Sequence, residues 1–244
     1  MKKDRIFNTP LDEIIDFRFD ENVVKVFPDM IKRSVPGYTT LISQIPAFAA
    51  RYAQENSHCY DLGCSLGATT LMLQQGIRTP NCHIIAVDNS PAMLEQCQKS
   101  LARSSPSLPS TTTELRCADI ETLTIDNASI VTFNWTLQFI PLEKRHKIIQ
   151  NIYSGLRPGG ILILSEKVHF TDNQLDQWAV QRHHDFKRRN DYSELEISQK
   201  RAALENVLIT ESIDQHRNRL KRAGFGQIYT WFQCFNFISL FAQK

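Results

Sequence analysis

No stretch of this chain is apolar enough to cross a membrane. Its longest apolar runs, His83-Ile84-Ile85-Ala86-Val87 and Ile161-Leu162-Ile163-Leu164, are strand length, far short of the roughly 20 residues a spanning helix needs. The opening Met1-Lys2-Lys3-Asp4 leads into mixed charged and apolar positions rather than an apolar signal core, so a cytoplasmic protein is expected. Charge of one sign is scarce as well. The 28 Lys and Arg against 26 Asp and Glu leave a formal net charge of +2, which gives no whole-chain argument for nucleic-acid binding. The six cysteines include no C-x-x-C pair, so free thiols and no metal are expected. What remains is ordinary for a globular protein: 42% apolar residues, 22% charged and a mean hydropathy of −0.31. A chain of 244 residues is long enough to bury the core of one large α/β domain.

From Cys59 onward, short apolar runs alternate with helical patterns, the rhythm of successive strand–helix units and a mostly parallel sheet. Strands are expected at Cys59–Leu62, His83–Asp88, Thr113–Cys117, Ser129–Asn134 and Gly160–Ser165. Helices are expected over Gly67–Gln75, from Asn89-Ser90-Pro91 onward, where Ser caps and Pro opens the first turn, and over Pro141–Leu156. Pro158-Gly159-Gly160 is expected to stop the last of these in a turn. The aromatic, β-rich end after Gly224-Phe225-Gly226 should add two more strands at one sheet edge, making seven. Residues 1–54 carry helical spacing at Val23, Val26, Phe27, Met30 and Ile31, and residues 170–206 are charged and helical. Both read as additions to a single domain spanning 1–244: an N-terminal helical cap and a helical insertion after the fifth strand.

The chemistry concentrates at Asp61-Leu62-Gly63-Cys64-Ser65-Leu66-Gly67. A strand that ends in a glycine turn and opens a helix presents backbone N–H groups beside the helix's positive end, which suits a nucleotide-like ligand. Asp88 closes the next strand about 20 residues on, where a carboxylate accepts ribose hydroxyls. Asp61 separates the candidates: a carboxylate beside the loop repels the diphosphate of NAD and attracts an ammonium. S-adenosylmethionine (SAM) carries an ammonium and a sulfonium and no phosphate, so it is favoured over NAD. Asp61 capping the turn and Asp88 capping the helix at Asn89 is the purely structural alternative. Asp119 ends the third strand where it could meet an adenine amino group, and Asn134 ends the fourth, over the expected sulfonium. Tyr38, after Pro36-Gly37, is placed to present its ring to the cofactor. The adjacent His183 and His184 point apart on a helix and do not suggest a metal site.

These residues resemble the class I SAM-dependent methyltransferases, with Ser65 standing where the middle glycine of that loop is common. A closer resemblance covers nearly the whole chain. Phe27-Pro-Asp-Met-Ile-Lys-Arg-Ser-Val-Pro-Gly-Tyr38, Asp61-Leu-Gly-Cys-Ser-Leu-Gly-Ala68, Val87-Asp-Asn-Ser-Pro-Ala-Met93, His183-His-Asp-Phe-Lys-Arg188, Tyr192-Ser-Glu-Leu-Glu-Ile-Ser-Gln-Lys-Arg201 and Trp231-Phe-Gln-Cys-Phe-Asn-Phe237 are similar to the carboxy-S-adenosyl-L-methionine synthases of bacterial tRNA wobble-uridine modification.

The resemblance implies a Rossmann-like methyltransferase fold that does not methylate. It implies SAM and prephenate as substrates, phenylpyruvate and carboxy-SAM as products, a homodimer, and a tRNA carboxymethyltransferase as the next user; the sequence itself gives no ground for expecting direct tRNA contact by this chain. It assigns Tyr38, Gly63, Cys64, Ser65, Asp88, Asn89, Asp119, Ile120 and Asn134 to the nucleoside and methionine parts, and Arg201 to the added carboxylate. An anionic second substrate calls for cations, and the insertion supplies Arg182, Lys187, Arg188, Arg189, Lys200 and Arg201. An arginine fork matches a carboxylate best, while the interleaved Asp185, Asp191, Glu194 and Glu196 make a solvated face for most of the others. The alternatives are a conventional SAM methyltransferase acting on a small acid or RNA, and a non-catalytic SAM-binding subunit.

Overall fold

The computed structural model describes residues 2–11 and 13–244. Seven strands form one sheet: β1 (His58–Leu62), β2 (His83–Asp88), β3 (Thr112–Cys117), β4 (Ala128–Asn134), β5 (Leu156–Lys167), β6 (Gln227–Cys234) and β7 (Phe237–Gln243). Their order is β3-β2-β1-β4-β5-β7-β6. The pairings from β3 through β5 are parallel, and β7 is antiparallel to both its neighbours. The chain moves outward from β1 to β3, then returns to the other side of β1 with β4. That reversal places a crevice outside the carboxyl ends of β1 and β4, the position at which open parallel sheets bind ligands.

Among the described residues there are eight α-helices: α1 (Glu21–Ser34), α2 (Tyr38–Tyr52), α3 (Ala68–Gly76), α4 (Pro91–Leu101), α5 (Leu142–Gly155), α6 (Asn173–Arg189), α7 (Glu194–Leu204) and α8 (Ile213–Ala223). Their starts follow side-chain chemistry. Asp20 accepts from the Asn22 and Val23 amides at α1, Ser90 caps α4 ahead of Pro91, and Ser193 with Glu196 forms a capping box at α7. Because both sheet faces are covered, the inner strands are apolar at successive positions. Tyr60, Leu62, Val131, Phe133, Leu162 and Leu164 pack against Ile148, Ile149 and Ile152 of α5 and Leu220 of α8. The alternate residues Cys59, Ile84, Ile130, Ile161 and Ile163 meet Ile45 and Ala49 of α2 and Leu73 of α3.

The N-terminal additions are α1 and α2, the later insertion is α6 and α7, and β6 with β7 forms the aromatic edge. One expectation changes. The helix before Pro158-Gly159-Gly160 ends sooner, at Gly155, and β5 begins at once. A Cβ at Gly155 would stand 2.2 Å from the Ile125 carbonyl oxygen, so the helix stops where two backbones touch. Ala128 then pairs with Leu156 and Ile130 with Ile161; the Pro-Gly-Gly segment bulges out of the strand instead of preceding it.

Candidate active site

The loop after β1 is built around three left-handed positions, Gly63, Ser65 and Gly67. Gly63 has φ +73, and a Cβ there would lie 2.1 Å from Thr136 Oγ1, so only glycine fits against the tip of β4. Ser65 has φ +50, which explains why glycine is common at that position in the related loops. The amides of this turn are mostly spent within the protein. Gly63 and Cys64 both donate to the Val87 carbonyl, at 2.8 and 2.9 Å, and Gly67 to the Cys64 carbonyl at 2.9 Å. Ser65 donates to Asp88 Oδ2 at 2.8 Å. The sequence suggested a cradle of exposed N–H groups; the fold uses three of these amides to tie the loop to β2 and the fourth, of Gly67, to close the loop on itself. A diphosphate, which needs several convergent free amides, finds little to hold here.

Asp61 lies behind the loop, not beside the ligand. It is 1% exposed, with Oδ2 accepting from Thr70 Oγ1 at 2.6 Å and Oδ1 from Thr132 Oγ1 at 3.0 Å. Burial pushes its carboxyl up to about 6, against the two threonine hydroxyls that hold it down. It is therefore ionised at neutral pH, and its charge reaches the cleft: after burial, Asp61 is the second cause that raises the Tyr38 hydroxyl to about 12. The loop thus presents a negative field without a directly exposed carboxylate.

A cleft of about 980 Å³ opens above the loop, and Tyr38, Gly63, Cys64, Ser65, Asp88, Asn89, Asp119, Ile120 and Asn134 all line it. Asp88 accepts a second amide, from Ser90, at 2.9 Å, which leaves one lone-pair direction on each oxygen for hydroxyl donors. Asp119 is exposed and accepts the Glu121 amide at 2.9 Å. Asn134 is fixed by Ser165, whose hydroxyl donates to its Oδ1 at 2.6 Å, and by its own Nδ2 reaching Thr69 at 3.4 Å. The 3-10 turn that follows, Leu137–Phe139, is capped by buried Glu166, which accepts the Leu137 and Gln138 amides at 3.1 and 2.8 Å.

Arg201 does not line this cleft. It is exposed in the last turn of α7, although its charge depresses Lys167, His184 and Lys187. Arg182 and Arg188 pair with Asp185 and Glu194, the solvated face expected of them. His183 binds the Ser34 carbonyl through Nε2 at 2.8 Å. Sequence reasoning missed the aromatic cover of the site. Trp135, at φ +52, sets its ring 5.3 Å from that of Tyr38, and its indole nitrogen is buried without a partner. Phe19 and Phe139 meet edge to face at 5.3 Å across the opening. The available signal was the run of aromatics at Phe17, Phe19 and Phe27 ahead of and within α1.

Residues 60–160 match a family model described as a methyltransferase domain. The carboxy-S-adenosyl-L-methionine synthase of Citrifermentans bemidjiense is 59% identical over 243 residues, covering 100% of this chain and 99% of its own. This chain belongs to the carboxy-S-adenosyl-L-methionine synthase family. The synthase of Photorhabdus laumondii is 51% identical, again over 100% of this chain and 95% of that one. As a member of the carboxy-S-adenosyl-L-methionine synthases the protein is an enzyme, and SAM is the ligand its cleft fits. Solved structures share the fold: the SAM-dependent methyltransferase SibL at TM-score 0.60, with 17% identity over 89% of this chain and 57% of that one, and a SAM-dependent methyltransferase of Methanosarcina mazei at 0.53, with 16% identity over 80% and 95%.

Proposed function

We propose that the protein converts SAM and prephenate to carboxy-SAM and phenylpyruvate, and that the product supplies the carboxymethyl group for tRNA wobble-uridine modification by a separate transferase. The observation that carries this is full-length identity of 59% with a carboxy-S-adenosyl-L-methionine synthase, joined to a cleft whose loop spends its amides on the protein and so disfavours a diphosphate. Prephenate gains aromaticity when its ring carboxylate leaves as CO2 and the ring hydroxyl leaves as hydroxide. The hydroxide takes a proton from the SAM methyl, which the adjacent sulfonium acidifies, and forms water. The resulting ylide carbon attacks CO2, and a C–C bond forms as the C–H bond is lost. Such a sequence asks the protein for positioning and exclusion of water more than for an acid–base pair. The cleft suits it: among the described residues its lining includes no histidine, and the aromatic rings of Phe19, Trp135 and Phe139 line it.

In this reading the chain works as a homodimer in the cytoplasm, and Arg201, which stands outside the cleft of the single free chain, grips the added carboxylate once substrate or a second copy brings α7 and the cleft together. The test is incubation with SAM and prephenate, followed by mass spectrometry. SAM heavier by CO2 minus a proton, with phenylpyruvate released in equal amount, is the expected result. Methyl transfer to an added acid or RNA, without that product, would replace this reading with a conventional methyltransferase. Arg201→Leu should keep SAM binding and lose the carboxylated product; normal turnover would remove Arg201 from the carboxylate.

A further inference from the structure

Strand alternation decides which side chains of β5 face the cleft. Asn134 of β4 pairs with Ser165 of β5, and their side chains are hydrogen bonded, so both stand on the face that carries the site. Two residues on, at the last position of β5, Lys167 stands on the same face. Its backbone pairs with Phe237 of β7, whose ring meets His183 of α6 at 4.9 Å between centroids. Lys187 lies one turn after His183 on the same side of α6 and is 8% exposed. Lys200 of α7 donates to Ser34 Oγ at 3.0 Å, beside the Ser34 carbonyl that His183 binds. The end of β5, α6 and α7 thus gather cations beyond Ser165, whose carbonyl takes the Trp135 amide at 2.6 Å.

These cations are unequally matched. Lys200 has Asp4 at 3.7 Å. Among the described residues, no Asp or Glu oxygen comes within 4.0 Å of the Lys167 or Lys187 ammonium. Burial, with the charges of Lys200, Lys167 and Arg201, pushes Lys187 down to about 7, and burial with Arg201 lowers Lys167 against the more distant charge of Asp176. Unpaired, shielded cations cost folding free energy. Like Arg201, neither lysine is among the residues that line the cleft; their grouping just beyond the β4 and β5 tips that border it is accounted for when the missing negative charge arrives with a ligand, and two cations call for two anionic groups.

We propose that Lys167 and Lys187 form the binding site of the second substrate, an organic dicarboxylate, and hold its two carboxylates just beyond the Asn134 end of the cleft. This deepens the proposed function and rests on it for the identity of the ligand, since prephenate carries two carboxylates. The lysines act as point charges that follow a carboxylate as it shifts, where an arginine fork would fix it in one plane. They bind and place the substrate.

The test is calorimetry on the SAM-bound protein with prephenate and, separately, with succinate as a plain dicarboxylate, using Lys167→Met and Lys187→Met. Each variant is expected to weaken prephenate binding by about 10-fold or more, as loss of a charge-assisted contact does, with SAM affinity unchanged. The melting temperature of Lys187→Met should rise, because an unpaired cation has left the interior. Lys167→Arg, which keeps the charge, should retain prephenate binding. Prephenate binding that persists in both methionine variants overturns the site and leaves the proposed function standing, as does a Lys167→Arg loss equal to that of Lys167→Met. A wild type that binds succinate but not prephenate, with that binding lost in both variants, keeps the site and overturns prephenate. A wild type that binds neither overturns both.

Discussion

The Ser65 amide donates to Asp88 Oδ2 at 2.8 Å, and so the acid at the tip of β2 holds the loop that follows β1. Its other oxygen takes the Ser90 amide at 2.9 Å. One side chain therefore shapes the cofactor loop, starts α4 and keeps lone pairs for ribose hydroxyls. Asp88→Ala removes all three at once and should weaken SAM binding by about 1–3 kcal/mol. Asp88→Asn keeps one acceptor oxygen and sets an NH2 against the other amide, so it should fall between. Calorimetry decides; unchanged affinity in the alanine variant would place the ribose elsewhere.

Two neighbouring left-handed positions should respond in opposite ways. Gly63→Ala puts a methyl 2.1 Å from Thr136 Oγ1 and 2.9 Å from Thr136 Cβ, at a φ of +73 that L-residues avoid. Neither backbone nor Thr136 can yield without moving the tip of β4, so SAM binding should be lost and stability should fall by roughly 1–3 kcal/mol. Ser65→Gly, at φ +50, relieves strain but gives the unfolded chain more freedom, and loses only the Ser65 hydroxyl's contact with the Met93 sulfur at 3.4 Å. It should bind SAM as the wild type does. Urea titrations with and without SAM report both results.

The sheet was largely legible in the sequence because its inner strands are buried on both faces and so read as unbroken apolar runs between turn signals. Ile84–Val87 and Ile130–Val131 needed no tertiary information. The bulge at Pro158-Gly159-Gly160 was not legible, since it lies in the register of β5 on β4, where Ala128 meets Leu156 and Ile130 meets Ile161. Of the residues that line the cleft, Gly63, Asp88, Asp119 and Asn134 follow from the spacing, which fixes the ends of β1, β2, β3 and β4, while Cys64, Ser65, Asn89 and Ile120 came with the resemblance. The direction of their hydrogen bonds was hidden: that Val87 takes two loop amides, and that Asp61 turns inward to Thr70 and Thr132, are facts of packing between strands. Trp135 escaped for a similar reason. Its left-handed backbone is held by the Ser165 carbonyl, and nothing in Asn134-Trp135-Thr136 announces that.

Asp61 gives the site a pH dependence with opposite signs for folding and binding. Its carboxyl sits at about 6 in the folded protein, raised from 3.8 by burial. A raised carboxyl binds its proton more tightly when folded, so its contribution to stability is full below about pH 4 and is lost as pH rises through about 6. The cofactor's ammonium favours the ionised form. SAM affinity should therefore weaken several-fold as pH falls from about 7 to about 5, and Asp61→Asn should flatten that profile. A wild-type affinity constant over this range would show that the Asp61 field stops short of the methionine end.

The aromatic cover should control how long the cofactor stays. The segment before α1 is tied down at two points, where the Phe17 amide donates to the Ala203 carbonyl and the Ser90 hydroxyl donates to the Phe19 carbonyl, each at 2.9 Å. Between them the Phe19 ring bridges Phe17, at 5.2 Å, and Phe139, at 5.3 Å, in edge-to-face pairs. Phe19 is only partly buried, so its ring contributes less to folding than a core phenylalanine does. It lines the cleft, so an occupied site would bury it further. Phe19→Ala should therefore leave the melting temperature of the free protein nearly unchanged while raising the SAM dissociation rate by about 10-fold, the usual place for an affinity loss of this kind. Stopped-flow displacement measures that rate directly. Equal dissociation rates in the variant and the wild type would mean that the segment is a fixed wall, and that SAM leaves by another route.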